Sequence, residues 1–283
     1  MIVEKAHAKI NLYLHVTGRR PDGYHLLDSL FVFADAGDVV GLEAAETPLF
    51  SVTGPYGDSL SGEKNNSVLK AARLMCEALN EKQAFKLTLE KNLPVASGMG
   101  GGSADAAAAM RLIMRFFEKK PSEKTLNDIA LAVGADVPAC LWEKPVFVSG
   151  IGEKMTFAPA VPDFPVLLVN PNVAVPTPAV FKNRTGDFDA EDPMTADDFS
   201  PENFIGALKR RHNGLTAAAV AVCPQISDVL NALANAKGCL FSAMSGSGAT
   251  CVALFDDVKT RDACFDGLSE TYPKWWGQKA SFI

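Results

Sequence analysis

Alternation of apolar and polar residues is the clearest pattern at the start of the chain. Apolar side chains occupy every second position from Ile10 to Val16, which is the period of a strand with one buried face. Residues 19–24 (RRPDGY) combine Pro and Gly and predict a turn. Short apolar or alternating runs predict further strands at 30–33, 39–42, 85–91, 146–149, 165–170, 239–244 and 250–255.

Helical spacing of apolar residues appears between these strands. From Ser67 to Leu79 the apolar residues recur three and four positions apart, as on the buried face of a helix. Residues 121–133 predict a second helix, with Pro at its start and Gly after its end. Further helices are predicted at 201–222, 224–237 and 260–270. The segments predicted to be turns or irregular loops, the last of them acidic and mobile, are 134–141, 171–181 and 186–201.

The order of these elements indicates the fold class. Strands and helices occur in groups without a regular βαβ alternation, which favours an α+β fold over a doubly wound sheet. The chain has 283 residues, enough for one large domain or two closely associated ones. A soft boundary falls between about residues 143 and 163.

Composition and charge exclude several classes of function. The 27 Lys and Arg residues against 33 Asp and Glu give a net charge of −6, which disfavours a general nucleic-acid binder because neutralising phosphates needs clustered cations. No apolar run approaches the roughly 20 residues of a membrane helix, and the first residues lack the pattern of a signal peptide. The six cysteines have neither CxxC nor zinc-finger spacing. We therefore expect a cytoplasmic protein with no nucleic-acid or membrane partner.

A glycine-rich loop between a predicted strand and an Ala-rich helix carries the strongest chemical signal. Four glycines between residues 98 and 102 stand in the segment PVASGMGGGSADAAAAM, residues 94–110. Without Cβ atoms, the backbone lets an anion approach its N–H groups. The N-terminus of a helix, here predicted to begin at Ser103, also favours phosphate. The alternative is a flexible turn capped by Ser103.

The common nucleotide-binding motifs do not explain this loop. A P-loop needs a lysine after its second glycine, whereas Gly102 is followed by Ser103 and Ala104. The dinucleotide fingerprint G-x-G-x-x-G fails because Ser103 stands where its third glycine belongs, which argues against a dehydrogenase. The other motifs of a protein kinase are also missing.

Three segments together resemble the GHMP small-molecule kinases. The pattern P-x-x-x-G-x-G-G-G-S-A at 94–104 resembles the ATP-binding motif of that family, and MSGSGAT at 244–250 resembles its C-terminal glycine motif. AKINLYLHV and RRPDGYHLL, at 8–16 and 19–27, resemble the N-terminal motif of one branch. There are two departures: Met99 stands where Leu or Ala is more usual, and Ala104 replaces a second serine and so removes a hydroxyl.

The resemblance implies a two-domain α+β GHMP kinase fold. The N-terminal domain, of the ribosomal-protein-like α/β type, would span 1–152 and bind ATP. The C-terminal domain, ferredoxin-like, would span 153–283 and contribute to the substrate site. The branch implies a kinase that phosphorylates the 2-hydroxyl of a methylerythritol linked to cytidine diphosphate, in the non-mevalonate route to isoprenoids.

The resemblance also implies roles for a lysine and an aspartate. Asp136 would be the catalytic base and Lys9 its electrostatic partner. Phosphoryl transfer depends mostly on positioning and charge neutralisation, which a carboxylate and an ammonium can supply. Taken alone, Lys9 is also typical of a strand lysine whose stem packs on apolar surface, and Asp136 of a helix N-cap.

Nucleotide binding is implied for the loop and for two further residues, Asn66 before a predicted helix and Lys91 before the loop. The loop residues are Pro94, Val95, Ala96, Ser97, Gly98, Met99, Gly100, Gly101, Gly102, Ser103 and Ala104. Asn66 fits a helix N-cap equally well. Two glycines of the C-terminal motif, Gly246 and Gly248, would allow close backbone approach beneath the site, although a hairpin turn also needs such residues.

Substrate binding is implied for residues of the branch motif and of the Pro-rich loop. Cytosine would lie against Tyr24 and Phe181, with His25 contacting its polar edge, because aromatic faces provide stacking area. Asn11 shares a strand face with Lys9 and would bind a substrate hydroxyl or phosphate. Thr177 is a weaker candidate.

Mg²⁺ is expected to accompany ATP, because this ion binds largely through substrate phosphates and water. No acidic pair has ligand spacing, so the sequence leaves its protein ligands open; Ser103 offers one hydroxyl. The expected partner is a small molecule bearing cytidine diphosphate, and the expected state is a monomer or homodimer. The alternatives are a homoserine or mevalonate kinase of the same family, or a non-catalytic nucleotide sensor.

Overall fold

The computed structural model describes residues 1–60 and 66–283 of the chain. These residues form two compact units, of which the first comprises Met1–Ala8, Gly37–Val95 and Gly100–Glu143, and the second Lys9–Ala36, Ala96–Met99 and Lys144–Ile283. Two long strands, β1 (Ile2–Arg19) and β2 (His25–Ala44), contribute to both. The predicted domains, 1–152 and 153–283, stay a prediction; the units are divided differently because β1 and β2 each run through both.

The first unit combines a mixed sheet with four helices. Its strands are the start of β1 and the end of β2, together with β3 (Leu49–Thr53) and β4 (Phe85–Glu90). Strand β4 pairs antiparallel with β2 and parallel with β3. The helices are α1 (Ser67–Leu79), α2 (Gly101–Phe117), α3 (Glu123–Val133) and α4 (Val137–Trp142). Helix α2 is buried through its Ala-rich first half, which lets neighbouring backbone approach closely.

The second unit contains the other halves of β1 and β2 and a separate antiparallel sheet. Strand β5 (Val146–Gly150) pairs with β2, and β6 (Lys154–Phe157) with β5. The separate sheet contains β7 (Val166–Asn170), β8 (Cys239–Met244), β9 (Cys251–Phe255) and β10 (Trp276–Ala280), in the order β10-β7-β9-β8. The helices are α5 (Thr177–Asn183), α6 (Pro201–Lys209), α7 (Thr216–Val222), α8 (Gln225–Ala234) and α9 (Val258–Thr271).

One apolar core fixes the end of β1 within the second unit. Leu14 and Val16 of β1 are buried together with Leu167 of β7, Leu215 beside α7 and Ile226 of α8. Burying such side chains stabilises a fold by about 1.5–3 kcal/mol each. The core therefore holds the strand that carries Lys9 and Asn11 against the sheet of this unit.

Most predicted elements are present, and the errors have local causes. The predicted strands at 30–33 and 39–42 are one strand, β2, which continues through a polar stretch because Asp38 is buried in an ion pair. The predicted helix 201–222 is interrupted between α6 and α7, where the Asn213 side chain donates to the carbonyls of Met244 and Gly246, each at 2.8 Å. No strand was predicted for β3, β6 or β10.

Two predicted loops contain helices. The turn-rich segment 134–141 includes most of α4, and the Pro-rich loop 171–181 leads into α5. In both helices Pro occupies the first turn, where its missing N–H costs no hydrogen bond. The acidic segment 186–201 is irregular apart from a 3-10 helix at Ala196–Phe199, but Asp189 accepts the Val16 amide at 2.7 Å and thereby ties it to β1. In the described ranges no helix is long and apolar enough to cross a membrane.

Candidate active site

The glycine loop turns directly into the first turn of α2. Gly98 and Gly100 have φ of +79° and +63°, a conformation that glycine adopts without strain. Helix α2 begins at Gly101, so the predicted start at Ser103 is wrong by two residues; Gly100 is its N-cap. The first helical hydrogen bonds run to the Gly100 carbonyl, and the amides of Gly101 and Gly102 precede them. This helix end is suited to an anion.

The segment before Gly100 is held by backbone contacts within the second unit. The carbonyls of residues 96–99 accept hydrogen bonds, at 2.9–3.1 Å, from the amide of Val175, the amide of Thr250, the hydroxyl of Ser245 and the amide of Lys9. A Cβ on Gly98 would lie 2.3 Å from the Ser245 carbonyl oxygen. The loop conformation is therefore fixed by its neighbours, which argues against the flexible-turn alternative.

Lys9 is a buried lysine on β1. Its ammonium donates to Oδ1 of Asn11 at 2.9 Å and lies 4.2 Å from the centroid of the Phe31 ring. The amide of the Asn11 side chain donates in turn to the Ser29 hydroxyl at 2.9 Å. Both residues thus share one strand face, as the alternating pattern predicts. A cation is attracted to the face of an aromatic ring, so the Phe31 ring and Asn11 together position the Lys9 ammonium.

Asp136 stands immediately before α4, in the first unit. It is half-buried and occupies the N-cap position of that helix, as the N-cap alternative predicts, but its side chain makes no capping hydrogen bond. Its position two residues after Gly134 brings it near α2, because a Cβ on Gly134 would lie 3.8 Å from the Ser103 hydroxyl. Asp136 therefore follows a segment packed against the first turn of α2.

Lys91 belongs to a buried triad of charges in the same unit. Its ammonium pairs with Asp38 and, at 2.8 Å, with Asp105. Burial disfavours the charged lysine, but the two carboxylates outweigh it and raise the pKa of Lys91. Burial also raises the pKa of Asp105. Asp38 accepts the amides of Asn92 and Leu93, so the triad fixes the chain that enters the glycine loop.

Asn66 caps α1, since its side chain accepts the Val68 amide at 2.9 Å. This contact agrees with the N-cap alternative. The nucleotide-binding roles of Asn66 and Lys91 stay predictions.

The residues predicted for cytosine lie in the second unit. The His25 and Phe181 rings have centroids 5.0 Å apart with an interplanar angle of 30°. Burial, followed by the charges of Arg19 and Arg184, lowers the pKa of His25. Its imidazole is therefore neutral at pH 7 and can both donate and accept. Tyr24, the other predicted stacking residue, is 61% exposed.

The C-terminal glycine motif packs against the loop and β1. Thr177 and Ser247 share a hydrogen bond of 2.7 Å. A Cβ on Gly246 would lie 2.9 Å from the Gly98 carbonyl oxygen and 3.3 Å from Oδ1 of Asn11. The two glycine motifs thus meet beside Asn11, which is why both need residues without side chains.

Several residues that support the candidate site were not predicted from the sequence. Ser245 joins β1 to the loop, Asn213 supports the turn at Gly246, and Asp38 anchors the chain before the loop. Their partners are distant in sequence, so no local pattern indicates them.

The described part of the chain contains no group of three or more His, Cys, Asp or Glu residues that could hold a metal ion. A dedicated Mg²⁺ site formed by such residues is therefore absent from that part. The Ser103 hydroxyl, in the first turn of α2, fits an ion that arrives bound to phosphates, because Mg²⁺ retains waters and takes few protein ligands in such sites.

Comparison with known proteins identifies the family. Residues 66–144 match the GHMP kinases N terminal domain, and residues 200–274 match the GHMP kinases C terminal domain. The 4-diphosphocytidyl-2-C-methyl-D-erythritol kinase of Paramagnetospirillum magneticum is 46% identical over 99% of this chain and 98% of its own. The chain belongs to the GHMP kinase family.

Further relatives of this GHMP kinase agree with the resemblance. The Rhodospirillum rubrum kinase of the same name is 46% identical over 100% of this chain and 93% of its own. The crystal structure of a 4-(cytidine 5'-diphospho)-2C-methyl-D-erythritol kinase superposes with a TM-score of 0.79 at 29% identity, covering 100% of both chains. A homoserine kinase from Cytophaga hutchinsonii, at 18% identity and a TM-score of 0.72 over 97% and 94%, shares the fold alone. The predicted α+β GHMP fold and small-molecule kinase activity are confirmed.

Proposed function

We propose that this GHMP kinase transfers the γ-phosphate of ATP to the 2-hydroxyl of 4-diphosphocytidyl-2-C-methyl-D-erythritol, in the non-mevalonate route to isoprenoid precursors. The observation that carries the proposal is the full-length likeness, at 46% identity, to kinases named for that substrate. The neutral His25 imidazole beside the Phe181 ring supports recognition of a pyrimidine base.

Asp136 is the proposed base. As the substrate oxygen bonds to the γ-phosphorus, the hydroxyl proton passes to the Asp136 carboxylate, the bond from the γ-phosphorus to the bridging oxygen breaks, and ADP leaves. Proton transfer is late and modest in such reactions because the transition state is loose. A half-buried carboxylate in a segment that packs against the first turn of α2 suits this role.

Lys9 is the proposed electrostatic partner. Its ammonium, held by Asn11 and the Phe31 ring, stabilises the negative charge that develops on the transferred group. Preorganised charges of this kind act more strongly in a buried site than in water. Asn11 orients the ammonium and binds an oxygen of the substrate.

The glycine loop is the proposed triphosphate site. The amides of Gly101 and Gly102, at the start of α2, bind phosphate oxygens. Mg²⁺ would be held by those phosphates with Ser103 as a protein ligand, and it would neutralise charge on them.

A coupled assay of ADP release tests the substrate. The chain is supplied with ATP, Mg²⁺ and one acceptor: the cytidine conjugate, homoserine or mevalonate. We expect kcat/KM for the conjugate to exceed the others by about 10³-fold or more, because a site built for polar groups rejects analogues that lack them. Equal turnover of homoserine or mevalonate would contradict the substrate assignment.

Absence of ADP release with every acceptor, in protein that still binds ATP, would instead support a nucleotide sensor. The cytoplasmic location and the monomeric or homodimeric state stay predictions, which cell fractionation and light scattering test.

A further inference from the structure

Two arginines of the second unit belong to the segments that carry His25 and Phe181. Arg19 ends β1, opposite the start of β2, and its Nε donates to the Gly23 carbonyl at 3.2 Å. Arg184 follows α5 directly, and its amide donates to the Phe181 carbonyl at 3.4 Å. Arg19 therefore belongs to the β1–β2 hairpin that carries His25, and Arg184 adjoins the helix that carries Phe181.

Neither guanidinium is neutralised by the protein. No carboxylate in residues 1–60 or 66–283 forms an ion pair with Arg19 or Arg184. Other arginines of the second unit behave differently: Arg20 pairs with Asp22 at 2.7 Å, and Arg211 with Asp192 at 3.0 Å. Two unpaired cations that act on the same imidazole are unfavourable without an anion.

Arg184 also carries a donor that the protein leaves unmatched. Its terminal nitrogens donate to the carbonyls of Gly186 and Asp187, at 3.3 and 2.6 Å, and its plane lies 4.9 Å from the Phe188 ring centroid. Its Nε–H is buried and has no acceptor within the described chain. These contacts hold the guanidinium in place, and an unmatched charged donor is costly unless a ligand oxygen satisfies it.

The charges of both arginines reach His25. After burial, they are the causes that lower the pKa of its imidazole. Positive charge therefore acts on the His25 ring both from the β1–β2 turn and from the end of α5.

We infer that Arg19 and Arg184 bind the diphosphate of the cytidine-linked substrate, beside the base held by His25 and Phe181. This inference rests on the proposed function. A diphosphate joined to the 5′ oxygen of a nucleoside necessarily lies near the base. Planar guanidinium groups bind phosphate oxygens through paired, charge-assisted hydrogen bonds.

Binding of CDP and of cytidine provides the test. Both are titrated calorimetrically into the full chain and into the variants Arg19→Gln, Arg184→Gln and their double mutant. We expect each substitution to weaken CDP binding about tenfold, the scale of a charge-assisted hydrogen bond, and to leave cytidine binding within twofold. Because both ligands are measured on one variant, any loss of folded protein cancels in the ratio. An unchanged ratio in the double mutant would overturn the inference.

Steady-state kinetics separate this inference from the proposed function. The Arg variants should raise KM for the cytidine conjugate by about tenfold each and leave KM for ATP unchanged. Arg20→Gln, in the same turn but paired with Asp22, is the matched control and should change neither. If the unaltered chain fails to phosphorylate the conjugate, the proposed function fails. If it succeeds and the Arg variants match Arg20→Gln, only the diphosphate assignment fails. A raised KM for ATP instead would assign the arginines to the donor and overturn the inference.

Discussion

The Ser245 hydroxyl accepts the backbone N–H of Asn11 at 3.0 Å and donates to the Gly98 carbonyl at 2.9 Å. A single side chain therefore links the strand that carries Lys9 with the glycine loop and the C-terminal glycine motif. Ser245 is completely buried, so water cannot replace it if it is removed.

Replacement of this hydroxyl tests the link. Ser245→Ala leaves the Asn11 amide without its acceptor, and we expect the free energy of unfolding in urea to fall by about 1–3 kcal/mol. We also expect kcat to fall, because Lys9 and Asn11 lose their fixed register against Gly98. Ser269→Ala, on the exposed surface of α9, is the control and should stay within about 0.5 kcal/mol. Equal unfolding curves for the two variants would show that the link carries no energy.

Substitutions at two glycines of the loop test its role in folding and its role in nucleotide binding separately. Gly98→Ala places a Cβ 2.3 Å from a carbonyl oxygen at positive φ, so we expect a loss of about 2 kcal/mol or more of stability, or no folded protein. Gly102→Ala meets only the Ser67 hydroxyl, at 3.5 Å, and should fold normally. Its Cβ blocks approach to the first turn of α2, so KM for ATP should rise about tenfold.

Thermal unfolding and steady-state kinetics measure both effects. Gly267→Ala, with nothing within 4 Å of the added Cβ, is the control for an added methyl group. A wild-type KM for ATP in Gly102→Ala would exclude the start of α2 as a phosphate site.

The proposed base is tested by an isosteric change. Asp136→Asn removes the proton acceptor, and we expect kcat to fall by about 10²–10⁴, the usual scale for general base catalysis. The dissociation constant for ATP should change little, since Asp136 is not proposed to contact the nucleotide. Asp128→Asn, an exposed carboxylate of α3 in the same unit, is the control. Near-normal turnover in Asp136→Asn would remove this residue from the mechanism.

Local signals in the sequence predict the elements that depend on local causes. Helix α1 spans the predicted residues because apolar spacing and the Asn66 cap agree. Strand β2 continues through Asp38, which the sequence pattern did not predict. The ion pair that lets Asp38 be buried there is formed with Lys91, 53 residues away. The break between α6 and α7 depends on Asn213, whose acceptors are 31 and 33 residues further along. The spacing of apolar residues in a short segment cannot reveal partners that lie so far away in the sequence.

In the candidate site, too, features with local causes can be predicted from the sequence, whereas those that depend on distant partners cannot. The shared face of Lys9 and Asn11 follows from strand alternation, and the glycine loop from its composition. Ser245 belongs to a segment that predicts only a Gly and Ser turn, yet its contacts reach 234 and 147 residues back along the chain. Sequence motifs thus predict which residues contact the ligands, and the fold shows which other residues position the predicted ones.

A buried carboxylate in the second unit gives a prediction about pH. Asp28 accepts the Asp192 amide at 2.8 Å and the Tyr13 hydroxyl at 3.3 Å, and its Oδ2 lies 3.4 Å from Nδ1 of His15. Burial opposes ionisation, but the contacts with His15, the Asp192 amide and Tyr13 together outweigh it and lower the pKa of Asp28. A carboxylate with a lowered pKa stabilises the fold above its unfolded pKa, near 3.9, and loses that contribution as the pH falls through its folded value.

We therefore expect Asp28→Asn to lose about 1–3 kcal/mol of unfolding free energy at pH 7, because an amide replaces a hydrogen-bonded carboxylate. The difference from the unaltered chain should shrink as the pH falls below the unfolded pKa towards the lower folded pKa, because protonation removes the charge that stabilises the fold. Urea unfolding followed at pH 7, 5, 4 and 3 measures it. Asp163→Asn, an exposed carboxylate between β6 and β7, should show no such dependence. A difference that stayed constant or grew on acidification would mean that ionised Asp28 does not stabilise the native state.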